Sequence, residues 1–447
     1  MERGIRMRRA TFKGGIHPYD GKNLSKDKPT KVVLPKGDLV YPMSQHIGAP
    51  AKPVVSVGDQ VLVGQVIGEA AGFISANVCS SVSGKVKAIE SRLTVSGNMA
   101  ECIIIENDHE YRTIDGFGQK RDYTKMTKDE IRQIVKDAGI VGMGGAGFPT
   151  NVKLTPKDDS KIEYVIINGA ECEPYLTSDY RMMLEEGDKI IGGLKVILSL
   201  FKNAKGYISI EDNKPEAIEH LKSLAEKEHN IEVKVLKTKY PQGSERKLIY
   251  ATCGRKVNST MLPADAGCVV NNIDTVIAVY NAVCESTPVI RRIVTVTGDV
   301  VNEPQNLAVR VGTLYSELVE EVGGFRAEPE KVIAGGPMMG MALYSMDVPV
   351  TKTSSALLCF EKDVVAEVET SNCIHCGRCI AACPSGLVPQ KMVQAAKRYD
   401  YEAFEKVYGM ECYECGSCTY VCPAKINLTQ AFKQTRRAIL DNRRKAK

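Results

Sequence analysis

The run Cys373-Ile374-His375-Cys376-Gly377-Arg378-Cys379-Ile380-Ala381-Ala382-Cys383-Pro384 returns as Cys412-Tyr413-Glu414-Cys415-Gly416-Ser417-Cys418-Thr419-Tyr420-Val421-Cys422-Pro423. Three cysteines at x2 steps can take three corners of one iron–sulfur cubane. The fourth lies beyond an x3 step, is followed by proline, and reaches the neighbouring core. The spacing predicts one [4Fe–4S] cluster on Cys373, Cys376, Cys379 and Cys422, and a second on Cys412, Cys415, Cys418 and Cys383. A pair of zinc knuckles would need two ligand pairs separated by a gap, whereas here the four-cysteine run occurs twice intact.

Residues 346–447 are therefore expected to form a two-[4Fe–4S], bacterial ferredoxin-like domain with a C-terminal helix. Pro389 suits a first helical turn. Leu428, Phe432, Thr435 and Ile439 recur at helical spacing and predict a docking face. The other seven cysteines are scattered and are expected to be mostly buried small hydrophobes.

The whole chain has 447 residues, too many for one core, and three or four domains are expected. The apolar fraction, 43%, is that of a globular protein. No apolar run is long enough to span a bilayer. The basic start, residues 1–10, is not followed by an apolar segment and is not a secretory signal. Residues 371–447 carry thirteen Lys/Arg against six Asp/Glu, which suits a domain holding anionic clusters. Trp is absent and no aromatic pattern for base stacking occurs, so nucleic acid is not an expected partner.

Residues 1–115 read as short strands broken by Gly58-Asp59, Gly64 and Ser83-Gly84, with strands at Val54–Val57, Gln60–Val63, Gln65–Ile67 and Gly84–Ile89. This rhythm resembles the barrel-sandwich domain of lipoyl and biotinyl carriers. The hairpin that carries their modified lysine corresponds to Gly72-Phe73-Ile74-Ser75, which has no lysine. A structural role, not a swinging arm, is expected.

Residues 116–290 alternate helix and strand. Thr127 caps a helix, and Tyr164–Ile167, Tyr207–Glu211 and Ile231–Leu236 are strands separated by helices Asp188–Leu200 and Lys214–Lys227, an α/β pattern. Residues 291–345 combine strands with one helix, Leu314–Val322, ended by Gly323-Gly324. That suggests a β-grasp module of the SLBB type.

The second chemical constellation is Gly142-Met143-Gly144-Gly145-Ala146-Gly147-Phe148-Pro149-Thr150 with Lys153 beyond. Glycines let backbone N–H groups approach a phosphate closely, and lysine adds charge. Asn168-Gly169-Ala170-Glu171-Cys172-Glu173-Pro174 follows a strand, and Tyr240-Pro241-Gln242-Gly243-Ser244-Glu245 and Val270-Asn271-Asn272 come later.

Together these resemble the flavin- and NADH-binding flavoprotein subunit of respiratory complex I. The resemblance implies that Gly142, Gly144, Lys153, Asn168, Glu171, Asn271 and Asn272 hold non-covalent FMN. It implies that Phe148, Glu173 and Glu245 face NADH, and that Gly145, Gly147 and Gly243 complete the cofactor-binding set. Met143, Ala170, Cys172 and Ser244 depart from that family's pattern.

A wider resemblance covers nearly the whole chain. Gly14-Gly15-Ile16-His17-Pro18, Ser44-Gln45-His46-Ile47-Gly48-Ala49-Pro50, the glycine loop, the β-grasp module and the twin cysteine run occur in the order seen in the C-subunit family of Rnf complexes. It implies a peripheral, NADH-side electron-transfer subunit of a membrane-bound ferredoxin:NAD oxidoreductase on the cytoplasmic side of the cell membrane. Its partners would be the other subunits of an ion-translocating complex, a ferredoxin-type subunit among them. Many bacterial members carry a long Ala/Lys-rich tail, which this sequence lacks after its cluster domain. Electrons would pass between NAD(H), FMN and the two clusters, with the cofactors supplying the chemistry and no side chain nominated as general acid or base. His17 and His46 are expected in turn or packing roles. Two other readings are a cobalamin reductase of a bacterial microcompartment, which shares this domain set, and a flavin-free ferredoxin-type relay.

Overall fold

The computed structural model describes residues 10–445; the basic start before Ala10 lies outside them. Four sheets organise the chain. Two small antiparallel sheets form the barrel sandwich: Leu39–Pro42, Met99–Asn107, Gly84–Leu93 and Gln60–Val61 in one, Lys52–Pro53, Val66–Glu69 and Val78–Cys79 in the other. Tyr41, Met43, Val61, Ile67, Val86 and Ile103 fill the space between them. Val54–Val57 is not a strand. The Ser56 N–H donates to the Asp59 carboxylate at 2.8 Å and Gly58 takes φ +100°, so these residues turn the chain instead.

The second unit is a parallel sheet in the order Ile231–Leu236, Lys205–Glu211, Tyr164–Gly169, Cys268–Asn272. Val165, Ile166 and Ile167 are fully buried, as expected where helices cover both faces. Thr127 and Glu130 form a reciprocal capping box at the helix Lys128–Asp137. Helices Gly187–Ser199 and Ile273–Glu285 pack closely because Gly192 and Gly193 lack the Cβ that would strike Tyr280 and Val276. The carboxyl ends of the two strands Tyr164–Gly169 and Cys268–Asn272 lie side by side, where open α/β sheets bind ligands.

The third unit is a six-stranded sheet with the helix Tyr315–Glu321. Gly323 and Gly324 take φ +75° and +73° after that helix, as its expected end requires. The sheet takes in one strand beyond residue 345. Ala356–Phe360 lies between Arg291–Thr297 and Lys331–Ala334 as an inner strand. The unit therefore runs past residue 345, and the cluster domain starts after Phe360. At the sheet's edge, Lys31–Val32 pairs with Gln305–Arg310.

The cluster domain closes on a core of Leu387, Met392, Val393, Phe404, Leu428, Phe432 and Ile439. The apolar stripe of the helix Leu428–Lys445 thus docks on its own domain rather than on a partner. Among the described residues, no helix is long and apolar enough to cross a membrane.

Candidate flavin and iron–sulfur site

The two cysteine runs fold alike. His375 and Glu414 take φ +54° and +57°, and the following Gly377 and Gly416 take +73° and +79°. Short helices, Arg378–Ala382 and Ser417–Tyr420, begin just before the third cysteine of each triplet and carry Cys379 and Cys418. After each Cys-Pro the chain turns back: the Gly386 N–H donates to the Cys383 carbonyl at 3.2 Å, and the Lys425 N–H to the Cys422 carbonyl at 3.1 Å.

The fourth cysteines face the opposite triplets. Cys383 lines one cavity with Cys412, Cys415 and Cys418. Burial pushes the Cys418 thiol up to about 11, and the nearby Cys415 and Cys383 thiols push the same way. Burial also raises Cys379, and the nearby Cys376 and Cys422 thiols push the same way. Four thiols converging on one cavity fit a cubane. Cys373 and Cys376 are exposed, while the other six are partly buried.

Beside the cluster domain opens a cavity of about 1890 Å³ at the carboxyl ends of the parallel strands. This exceeds the roughly 300–1,000 Å³ of a single small-molecule site, so two ligands can share it. Twelve of the thirteen expected flavin and nucleotide residues line it: Gly142, Gly144, Gly145, Gly147, Phe148 and Lys153 from the glycine loop and after it, with Asn168, Glu171, Glu173, Gly243, Glu245 and Asn272.

Asn271 does not line the cavity. Its strand neighbours Cys268, Val269, Val270 and Asn272 do. Asn271 is buried next to Asn272 with both amide atoms unpartnered.

The glycine loop is pinned at both ends. The Gly142 N–H donates to the Phe148 carbonyl at 2.8 Å, and the Met143 N–H to Thr275 Oγ1 at 3.0 Å. Between them a Cβ at Gly144 would stand 3.0 Å from Asn272, and one at Gly147 would stand 2.9 Å from Thr353, while Gly145 meets open space. Lys153 Nζ donates to the Val270 carbonyl at 3.1 Å and stands 3.6 Å from Glu245. A cradle of bare backbone with an ammonium beside it fits a flavin phosphate.

The acidic loop is built against the burial cost of its carboxylates. Glu171 takes φ +47° and accepts from the Asp179 N–H at 2.7 Å. Glu173 Oε2 accepts from the Met338 N–H at 3.1 Å, while its Oε1 is buried without a partner. Burial pushes the Glu173 carboxyl up to about 7. Asn168 spans strand and loop, donating to the Gly243 carbonyl at 3.0 Å. Cys172 Sγ accepts from the Gly243 N–H at 3.3 Å.

Several contributors were not legible in sequence. Lys22 is buried and donates to the carbonyls of Glu171 and Glu173 at 3.0 Å each and of Leu176 at 2.5 Å. It lies about 150 residues away in sequence, and an isolated lysine carries no signal. The methionine-rich turn after Ala334 lines the cavity through Gly335, Gly336 and Met339, and Met338 reaches Gly416 of the cluster domain.

Flavin cavity and cluster domain meet directly. Cys415 and Tyr413 line the large cavity. The Tyr240 hydroxyl donates to the Cys415 carbonyl at 2.8 Å, and Arg246 pairs with Glu411 at 3.0 Å. The Gly14-Gly15 segment wedges between the two: the Gly15 N–H donates to the Ala382 carbonyl at 2.8 Å and the Ile16 N–H to the Tyr240 carbonyl at 2.9 Å. A Cβ at Gly14 would stand 2.5 Å from the Cys383 carbonyl oxygen. His17 is exposed, and His46 is a packing residue that accepts from the Ala76 N–H at 2.6 Å.

Family models match in the same order as these units: the RnfC barrel sandwich hybrid domain over residues 10–110, the Nuo51 FMN-binding domain over 135–281, the SLBB domain over 293–342 and a 4Fe-4S dicluster domain over 366–434. The chain is 43% identical over 445 residues to the C-subunit of the Na(+)-translocating ferredoxin:NAD(+) oxidoreductase complex of Acetobacterium woodii, covering 99% of this chain and 100% of that one. It is 42% identical over 400 residues to the proton-translocating counterpart of Clostridium ljungdahlii, covering 90% and 87%. The C-subunit of the Rhodobacter capsulatus ion-translocating oxidoreductase complex is 40% identical, covering 94% and 82%. A solved NAD+-reducing [NiFe]-hydrogenase in the air-oxidized state shares the fold at 19% identity and a TM-score of 0.50, over 72% of this chain and 64% of that one.

Proposed function

We infer the function from the family: the chain belongs to the C-subunit family of ion-translocating oxidoreductase complexes, the Rnf family. It is an electron-transfer subunit of a ferredoxin:NAD oxidoreductase complex, carries FMN and two [4Fe–4S] clusters, and works with other subunits of that complex. The observation that carries this reading is a single cavity lined both by the glycine loop and by Cys415. FMN, when bound, takes two electrons as hydride from NADH and hands them on one at a time.

The chain's residues divide the remaining work. The glycine loop and Lys153 cradle the phosphate of non-covalently held FMN. Asn168, Glu171 and Asn272 shape the cavity floor, and Asn271 backs the strand end. Phe148, Glu173 and Glu245 take the dinucleotide. The set Cys412, Cys415, Cys418 and Cys383 adjoins the cavity, and the set Cys373, Cys376, Cys379 and Cys422 lies outward at the surface. When loaded, the first set would link the flavin cavity to the second, and the second would link it to a partner subunit, in either direction according to potential. The protein sits peripherally on the cytoplasmic side of the membrane.

The test is anaerobic purification of the full chain. It should hold about eight iron and about eight labile sulfide, as two cubanes require, and acid precipitation should release FMN. NADH should then reduce both flavin and clusters. Four iron, stoichiometric zinc, flavin left on the polypeptide or flavin-free cluster-replete protein would contradict the reading. Protease accessibility in inverted native vesicles tests the side of the membrane.

A further inference from the structure

We propose that Phe73, from the hairpin of the barrel-sandwich domain, forms the outer wall of the dinucleotide site and stacks on the adenine ring. This rests on the NADH-binding reading above. Phe73 is 80% exposed, more than any other large apolar side chain among the described residues. A lone exposed apolar residue is ordinary; its place is not, because it borders the same cavity as the glycine loop.

The hairpin is fastened so that the ring keeps that place. Ser75 Oγ accepts from the Ala71 N–H at 3.0 Å and donates to the Ala49 carbonyl at 2.9 Å. The Ala76 N–H donates to His46 Nε2. On its other side, this support meets the glycine loop: a Cβ at Gly147 would stand 3.1 Å from His46 Cα and 3.2 Å from the Gln45 carbonyl oxygen. The carrier-type hairpin thus presents a ring to the cavity where carriers would present a modified lysine.

Geometry selects the adenine. A dinucleotide whose nicotinamide reaches the cavity floor leaves its other ring toward the mouth. Of the aromatic residues lining the cavity, Tyr240 is buried and holds Cys415, Tyr413 faces Arg246 and Lys247, and Phe148 belongs to the glycine loop. Of these rings Phe73 is the most exposed, while Phe148 is half-buried within its loop, so Phe73 offers the most open aromatic face. Base–aromatic stacking is sequence-tolerant and strong enough to change affinity roughly tenfold.

The chain contains no tryptophan, so Phe73→Trp in the cofactor-loaded chain places one indole at the mouth. Its emission should change saturably with ADP-ribose and with NADH, and not with reduced nicotinamide mononucleotide, which lacks adenine. In a calorimetric titration, Phe73→Ala should bind ADP-ribose roughly tenfold more weakly, with flavin and iron content unchanged. Indifference of the introduced indole to ADP-ribose, or an unchanged affinity in Phe73→Ala, overturns the proposal while NADH still reduces wild-type flavin. If NADH neither binds nor reduces the wild-type protein, the underlying reading falls and the proposal with it.

Discussion

Glu173 is held by opposing influences. Its Oε2 is tied to the Met338 N–H, its Oε1 is buried without a partner, and burial sets its titration near pH 7. Below that pH the carboxyl is neutral; above it, ionised. An ionised carboxylate is the stronger acceptor for a ribose hydroxyl, so the KM for NADH should fall as pH rises through about 7. Glu173→Gln should keep its flavin, raise KM with little change in kcat, and lose that inflection, because ground-state binding is what it loses. The same inflection in the variant would refute the assignment, and loss of flavin would place Glu173 in the FMN site. Lys22 supports this loop from behind. Lys22→Met leaves three carbonyls without their donor and Glu171, 3.8 Å away, without its cation. Breaking a buried pair costs about 3–5 kcal/mol, so thermal unfolding should come earlier and flavin content should drop; wild-type melting and flavin content would contradict this role. At this scale the cysteine ligands and the glycine loop were legible, because their chemistry demands a fixed local spacing. Lys22 was not, since its partners lie about 150 residues away. Asn271 was placed at the cofactor by resemblance; it is buried next to Asn272 with both amide atoms unpartnered, outside the cavity lining.

At the scale of elements, the Gly14-Gly15 segment explains itself only in three dimensions. It lies between Cys383 and Tyr240, where the flavin cavity and the cluster domain meet. Gly14 takes φ +82° with no room for a Cβ, so Gly14→Val should unseat the cluster domain. Iron and flavin should both remain, while reduction of the clusters by NADH slows and limited proteolysis cuts the domains apart. Unchanged cluster reduction in a folded variant would show that the wedge is not needed. Sequence periodicity located most helices and parallel strands because each is a local pattern. It placed a strand at Val54–Val57, where the Ser56–Asp59 turn prevailed. It gave no sign that Ala356–Phe360 joins the third unit's sheet, where it pairs with strands more than twenty residues upstream. The stripe of the last helix was read correctly as apolar, but its partner is Met392 and Phe404 of the same domain.

At the scale of the molecule, the chain places one cluster set against the flavin cavity and the other at the surface. The proposed cross-ligation would staple the two halves of the cluster domain, because metal binding contributes to folding. Cys383→Ser should therefore perturb the same EPR signal as Cys415→Ser, and leave the Cys376→Ser signal distinct. Loss of one shared signal in Cys383→Ser and Cys376→Ser would mean sequential ligation. The order of the path from flavin to the two clusters is read by rapid-mix freeze-quench EPR after NADH addition. In Cys376→Ser, NADH should still reduce the cluster beside the cavity at the wild-type rate. In Cys415→Ser, the outer cluster should stay oxidised with NADH yet be reduced by dithionite. Reduction of that outer cluster by NADH at the wild-type rate in Cys415→Ser would contradict the account.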